Sequence, residues 1–380
     1  MTQTFIVTGN DDQFLLNFTL ENSCASFANS LRRTIISGVD TAGFDTEDYE
    51  TSSIRIIENT CSLHNEFILH RIGMIPIKVI NTKKFDTSKF KFVLNVQNTG
   101  NVIMDVTTAD FEVINTETGK NEETLDFFPP NRITGENILI TRLKPNPDGN
   151  GEKIHLEGTC VINNGSYNAG FSPVSAAMFV NKIDETKVEA AMQKYLEEKA
   201  AEEHPETDIE LLKRRFMISE SERHFMTDEN DDPNVFDFTI ESIEVLSSAN
   251  ILYLACEKMI EKLQFTKEEI TKSLEGEESS IEITDSLTVM AAKDITIKDE
   301  THTLGYLLQD YMLRLISKDD LIFSGYCNPH PLQKKIIIRV ALTNNDNENV
   351  KTKLFAVIDY LIGEYNKIRT SLNSQFGDMN

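Results

Sequence analysis

Apolar and polar positions along residues 5 to 20, FIVTGNDDQFLLNFTL, predict two short strands around a TGNDDQ turn. The period then lengthens. Phe27, Leu31 and Ile35 recur every four residues and predict a helix, with Ser23 or Ser26 near its cap and Gly38 just past its end. Arg32 and Arg33 lie beside that apolar stripe. From about residue 44 to 171 the pattern is strand-like. FKFVLNVQNTGNVIMDVTTADFEVI predicts strand, turn and strand, and ENILITRLKPNPDGNGEKIHLEGTCVI predicts a hairpin with KPNPDGNG at its tip.

Residues 181 to 232 are rich in Ala, Glu and Lys and poor in large apolar residues, which predicts a solvated helix pair or mobile insertion ending in the acidic turn MTDENDDPN. VFDFTIESIEVL restores a strand, ANILYLACEKMIEKLQ an amphipathic helix, and SLEGEESS at 273 to 280 a linker. In the last hundred residues DITIK is a strand, followed by a helix with Leu304, Leu307, Leu308, Tyr311, Met312 and Leu315 on one side. The strand KKIIIRVAL and a final long helix follow, with Leu354, Val357, Ile358, Leu361 and Tyr365 inward. Phe355 and Ile362 widen that last stripe beyond what one sheet requires.

The two ends of the chain repeat one scheme. Aligning FTLENSCASFANSLRR with ITIKDETHTLGYLLQD sets Phe18 on Ile295, Leu20 on Ile297, Ser26 on Thr303, Phe27 on Leu304 and Leu31 on Leu308. Two modules with incompletely covered apolar faces would satisfy each other by pairing about a pseudo-twofold axis. The expected fold is therefore α+β: two such dimerisation modules with a β-rich domain inserted in the first. The boundaries expected are 1–43 and 172–280 for the first module, with an acidic insertion at about 184–232, then 44–171 for the β-rich domain and 281–380 for the second module.

Charge narrows the partners. Against 37 Lys and Arg stand 61 Asp and Glu, a formal net charge of −24, which argues against direct nucleic-acid contact and favours basic partners. No apolar run reaches the roughly 18 residues a membrane helix needs, and MTQTFIVTGNDDQ has neither the basic nor the apolar region of a secretory leader. Cys24, Cys61, Cys160, Cys256 and Cys327 stand apart, which suits a reducing compartment and suggests neither a zinc knuckle nor a disulfide framework.

Candidate chemistry is sparse. SLHNEFILHRIGMIPI holds His64, Glu66 and His70, the one cluster that invites a metal-dependent hydrolase. Its histidines are six apart, about 240° around a helix, whereas a zinc-protease pair needs a spacing of four. The plainer expectation is a turn into a short helix with Phe67, Ile68 and Ile72 inward, closed by Gly73 and Pro76. There is no P-loop, GxGxxG or GxSxG, and DETH at 299 to 302 fits helix capping. The chain by itself does not look like an enzyme; an acidic interaction scaffold remains an alternative reading.

FANSLRRTIIS followed by LHNEFILHRIGMIPI resembles the third-largest subunit of eukaryotic RNA polymerase II and its archaeal counterpart, with DVTTADF, YNAGFSPVSAAMF and FDFTIESI in that family's order. DETHTLGYLLQDYML and FSGYCNPHPLQKKIIIRV resemble the eleventh subunit of the same enzyme. The chain is thus similar to the two fused, a feature of large nucleocytoplasmic DNA viruses, and similar in turn to a dimer of bacterial alpha N-terminal domains. The resemblance implies a non-catalytic assembly platform for the second-largest subunit, joined by small zinc-binding subunits and the largest subunit, with magnesium only in those partners. It implies that Arg32 and Arg33 face the second-largest subunit and that Phe27, Leu31, Ile35, Leu304, Leu308 and Met312 form the intrachain pairing surface. It places the chain in a viral factory of the host cytoplasm, and in virions, or in the nucleus if the source is cellular. Many relatives carry a four-cysteine zinc loop after GxIP; residues 78 to 100 here have no cysteine, so no bound cofactor is expected.

Overall fold

A computed structural model describes residues 3–147, 149–201, 208–287 and 291–377. Strands β1 (Thr4–Asp12) and β2 (Leu15–Glu21) lead into helix α1 (Ala25–Ser37). Next come β3 (Asp40–Gly43), β4 (Ile54–Asn59), α2 (Asn65–Gly73), β5 (Phe90–Gln97), β6 (Met104–Thr107), β7 (Phe111–Asn115), β8 (Asn121–Glu122), α3 (Thr124–Phe127), β9 (Leu139–Leu143), β10 (Lys153–Gly158) and β11 (Val161–Asn164). Then follow β12 (Val174–Asn181), α4 (Glu185–Ala200), α5 (Ile209–Ser219), β13 (Val235–Ser242) and α6 (Ser248–Glu275). The chain closes with β14 (Ile281–Asp285), β15 (Lys293–Lys298), α7 (His302–Leu315), β16 (Leu321–Cys327), β17 (Lys335–Leu342) and α8 (Asn347–Phe376). None of the described helices is long and apolar enough to cross a membrane.

The chain divides into two compact units. One comprises residues 1–34, 177–240 and 253–380; the other comprises 35–176 and 241–252. In the first unit, two four-stranded sheets have the orders β1-β2-β13-β12 and β14-β15-β17-β16. Numbered within each set these are the same order, first, second, fourth, third. In both, the first helix (α1 or α7) follows the second strand and the long helix (α6 or α8) follows the fourth. The alternation that aligns Phe18 and Leu20 with Ile295 and Ile297 is a real face: these four are at most 3% exposed.

Local chemistry sets the ends of the elements. Asp184, Asp208 and Asp346 cap α4, α5 and α8 by accepting backbone N–H bonds of the first turn. The expected TGNDDQ turn at the N-terminus lies one step later. β1 runs to Asp12 because its pairing with β2 slips at Gly9 and absorbs the extra residues as bulges; the turn closes where the Phe14 N–H donates to the Asp12 carboxylate. Ahead of α7, Thr301 occupies the cap position without a side-chain bond to the first turn. The helix within 181–232 is a pair, α4 and α5, and Val188, Leu212 and Phe216 are buried in it. The expected linker is partly helix: α6 extends to Glu275, Gly276 leaves it with φ 78°, and only 275–278 are exposed before β14 begins.

The second unit holds the five-stranded sheet β4-β10-β5-β7-β8 and the pairs β11-β3 and β6-β9 around a core rich in phenylalanine. Two expectations fail here. β9 and β10 do not form a hairpin: β9 pairs with β6, while β10 lies between β4 and β5. Alternation specifies which face of a strand is buried, not which strand lies beside it, and the buried Asn98 side chain holds the diverging backbones by donating to Val102 and Leu143 carbonyls. Phe67 is 66% exposed, and Leu69 joins Ile68 and Ile72 inside α2. The helix ends at Gly73, with Met74 as its cap donating its N–H to the Arg71 and Ile72 carbonyls, and a side chain at 73 would collide with the Thr46 hydroxyl.

A candidate pairing seam

Helix α1 buries one stripe completely. Phe27 and Leu31 are 0% exposed, as is Ile35, which lies beyond the first unit's boundary at Thr34. Leu304, Leu308 and Met312 on α7 are 0–1% exposed. The amino-terminal and carboxy-terminal stretches of the first unit meet directly through these helices. The Phe27 ring stacks on Tyr365 of α8 with centroids 4.5 Å apart, and it packs tilted against Tyr311 of α7 at 6.4 Å. Such ring pairs contribute about 0.5–1.5 kcal/mol beyond the area they bury. Ser30 and the Tyr365 hydroxyl share a buried 2.6 Å hydrogen bond, and burial raises the pKa of that phenol, which keeps it neutral.

The long helices continue the contact. Tyr253 accepts from Arg369 at 2.6 Å, Glu257 lies 3.5 Å from the same guanidinium, and Lys267 bonds Asp359 at 2.6 Å. Partners that rise along α6 and fall along α8 run the two helices antiparallel. Phe355, which widened the last stripe, lies under Lys267 at 4.9 Å. The extra apolar width of α8 therefore faces another helix as well as its sheet.

A polar clasp sits at the margin of this seam, and the sequence pattern did not single it out. Ser26 of α1 donates to Asp310 of α7. Asp310 pairs with Arg314 at 3.1 Å, and Arg314 reaches Asp228 at 3.7 Å and Asp232 at 3.6 Å in the acidic turn before β13. The signal available was small: an Asp–Arg pair four apart on α7, opposite a run of acids distant in sequence. Beside the stripe, Arg32 is half-buried and donates from Nε and Nη2 to the Asn29 side chain at 3.2 and 2.8 Å, while Arg33 is exposed.

Within the second unit, the residues that invited a metal are not brought together as one set. His64 caps α2, its Nδ1 accepting the Glu66 N–H at 3.5 Å. Glu66 and His70 line an open pocket of about 380 Å³ with Asp45 and Glu47, and His64 is not part of it. Among the described residues no three His, Cys, Asp or Glu side chains are grouped to hold a metal. The five cysteines are free thiols; Cys160 is buried and desolvation pushes its thiol up to about 12.

Two sheets of one strand order, with buried helices of the first unit in contact, define an α+β protein built from a repeated module. The chain belongs to the RNA polymerase Rpb3/Rpb11 dimerisation-domain family: models of that description match residues 17–263 and again 292–371. It is similar to the DNA-directed RNA polymerases I and III subunit RPAC1 of Saccharomyces cerevisiae, 27% identical over 204 residues, 46% of this chain and 57% of that protein. The rpac1 subunit of Dictyostelium discoideum is 28% identical over 281 residues, 65% of this chain and 76% of its own length. A probable DNA-directed RNA polymerase II subunit RPB11 of Caenorhabditis elegans is 41% identical over 69 residues, 18% of this chain and 52% of the relative. The chain thus spans about half the length of the yeast and nematode relatives.

Proposed function

We propose that this chain is a fused, non-catalytic assembly subunit of a multisubunit DNA-directed RNA polymerase, in which the two modules pair about a pseudo-twofold axis as two subunits would. The observation that carries the reading is the contact of α1 with α7 and α8, made by modules of identical strand order. Two family matches, one at each end of the chain, support it, as do relatives whose names are those of polymerase subunits.

In this reading the second-largest subunit docks on the α1 flank that carries Arg32 and Arg33, where a planar guanidinium suits carboxylate or carbonyl partners. The largest subunit and small zinc-binding subunits complete the assembly, catalytic magnesium belongs to the partners, and this chain holds no metal of its own. In this reading a fusion of the two subunits suits a large DNA virus and a viral factory of the host cytoplasm, or the nucleus if the source is cellular.

The test is purification of a tagged chain from its native source with identification of bound proteins by mass spectrometry. Two very large polymerase chains should co-elute; elution without them contradicts the proposal and returns the chain to an acidic scaffold of another kind. Arg33→Ala should keep the circular-dichroism spectrum and reduce recovery of the second-largest subunit. Undiminished recovery removes Arg33 from the docking face.

A further inference from the structure

An apolar groove in the first unit is unused by the pairing seam. The sheet β1-β2-β13-β12 ends at β12, and residues of β12, α4 and α5 line one groove. Between strand and helices lies an open groove of about 1030 Å³. Its apolar lining is Phe179, Val180 and Ile183 from the strand side, Val188 and Met192 from α4, and Met217 from α5. Residues 179 to 183 line it consecutively. Of these, 179 to 181 belong to β12, and Asp237 of the neighbouring β13 lines the groove as well, so it opens over the end of the sheet. Val180 is 61% exposed and Met217 51% exposed, in a part of the chain otherwise dominated by charge. Methionine side chains are flexible and polarizable, which suits surfaces that accept a partner.

The rim decides the partner. Glu185, Glu189, Glu222 and Asp237 surround the apolar lining, and Lys182 is the only cation among the lining residues. An anionic rim around an apolar floor repels nucleic acid and anionic lipid and attracts lysine and arginine. A second copy of this chain, with its formal net charge of −24, would bring acid against acid. We infer that this groove binds a basic, apolar-studded segment of a partner protein, seating its apolar side chains against Met192 and Met217 and its cations on the glutamates. The inference does not require the polymerase reading; it assigns a surface which that reading leaves empty.

The test titrates the full chain with a fluorescent peptide alternating leucine and lysine, and with its counterpart carrying glutamate for lysine, read by anisotropy. The lysine peptide should bind and the glutamate peptide should not. Val180→Ser with Met217→Ser should weaken binding about tenfold, and so should Glu185→Lys with Glu189→Lys, because apolar and charged contributions are both lost. All four positions are exposed, so circular dichroism should be unchanged, and the lysine pair should let the glutamate peptide bind. Equal binding of both peptides by the unaltered chain overturns the proposal, as does lysine-peptide binding that survives both variants. Self-association of the chain that disappears with Val180→Ser and Met217→Ser assigns the groove to a second copy and likewise overturns it.

Discussion

Glu269, on α6, accepts hydrogen bonds from Lys272, from the Ser279 hydroxyl and from both the N–H and the hydroxyl of Ser280. Those bonds, the one from Lys272 first, hold its carboxyl at about 2 instead of 4.5. A folded-state pKa below the unfolded one stabilises the protein above the unfolded value, and that contribution disappears as pH falls toward the folded value. Glu269→Gln should therefore melt below the unaltered protein near neutral pH. The gap should close as pH is lowered from 4.5 to about 2; a gap independent of pH in thermal melts contradicts the assignment. This residue was not legible from pattern. SLEGEESS resembles a linker by composition, and only the fold shows that the segment after α6 is fastened to the helix by a buried carboxylate.

At the scale of the element, period told more than identity. The alignment of Leu31 with Leu308 placed α1 and α7 correctly because a four-residue apolar repeat reports a buried helix face directly. Strand partners were less legible. The charged stretch around 228 to 232 was expected to be a solvated turn, yet Asp228 and Asp232 both reach Arg314 on α7. Arg314→Met should leave three carboxylates without their shared cation and cost about 1–3 kcal/mol. Proteolysis at the acidic turn should quicken with it, as read by limited digestion and a denaturant titration. Unchanged digestion would mean that the clasp does not hold that turn.

At the scale of the molecule, the internal repeat in the sequence matches two sheets of one strand order. Phe27, Leu31, Leu304 and Leu308 are buried while Leu315 is exposed, and Met312 meets Ser324 of its own sheet. What stayed hidden is what each charged surface meets, since a solvated acid and a clasping one look alike in sequence. Removing a buried Leu side chain costs about 2–5 kcal/mol, and putting a carboxylate in its place adds a desolvation penalty. Leu308→Asp should accordingly lose soluble, folded protein. A Leu308→Asp chain that stays soluble and keeps its melting temperature contradicts the burial of the α7 stripe.

The most direct measurement cuts the chain between the paired modules. A protease site placed at the exposed residues 275–278, between α6 and β14, separates the amino-terminal stretch from the second module while leaving every helix of the seam in place. After cleavage the two fragments should elute from a sizing column as one species in native buffer and separate only in denaturant. Fragments that part in native buffer, each still folded, would contradict the claim that the two ends of this chain cover one another.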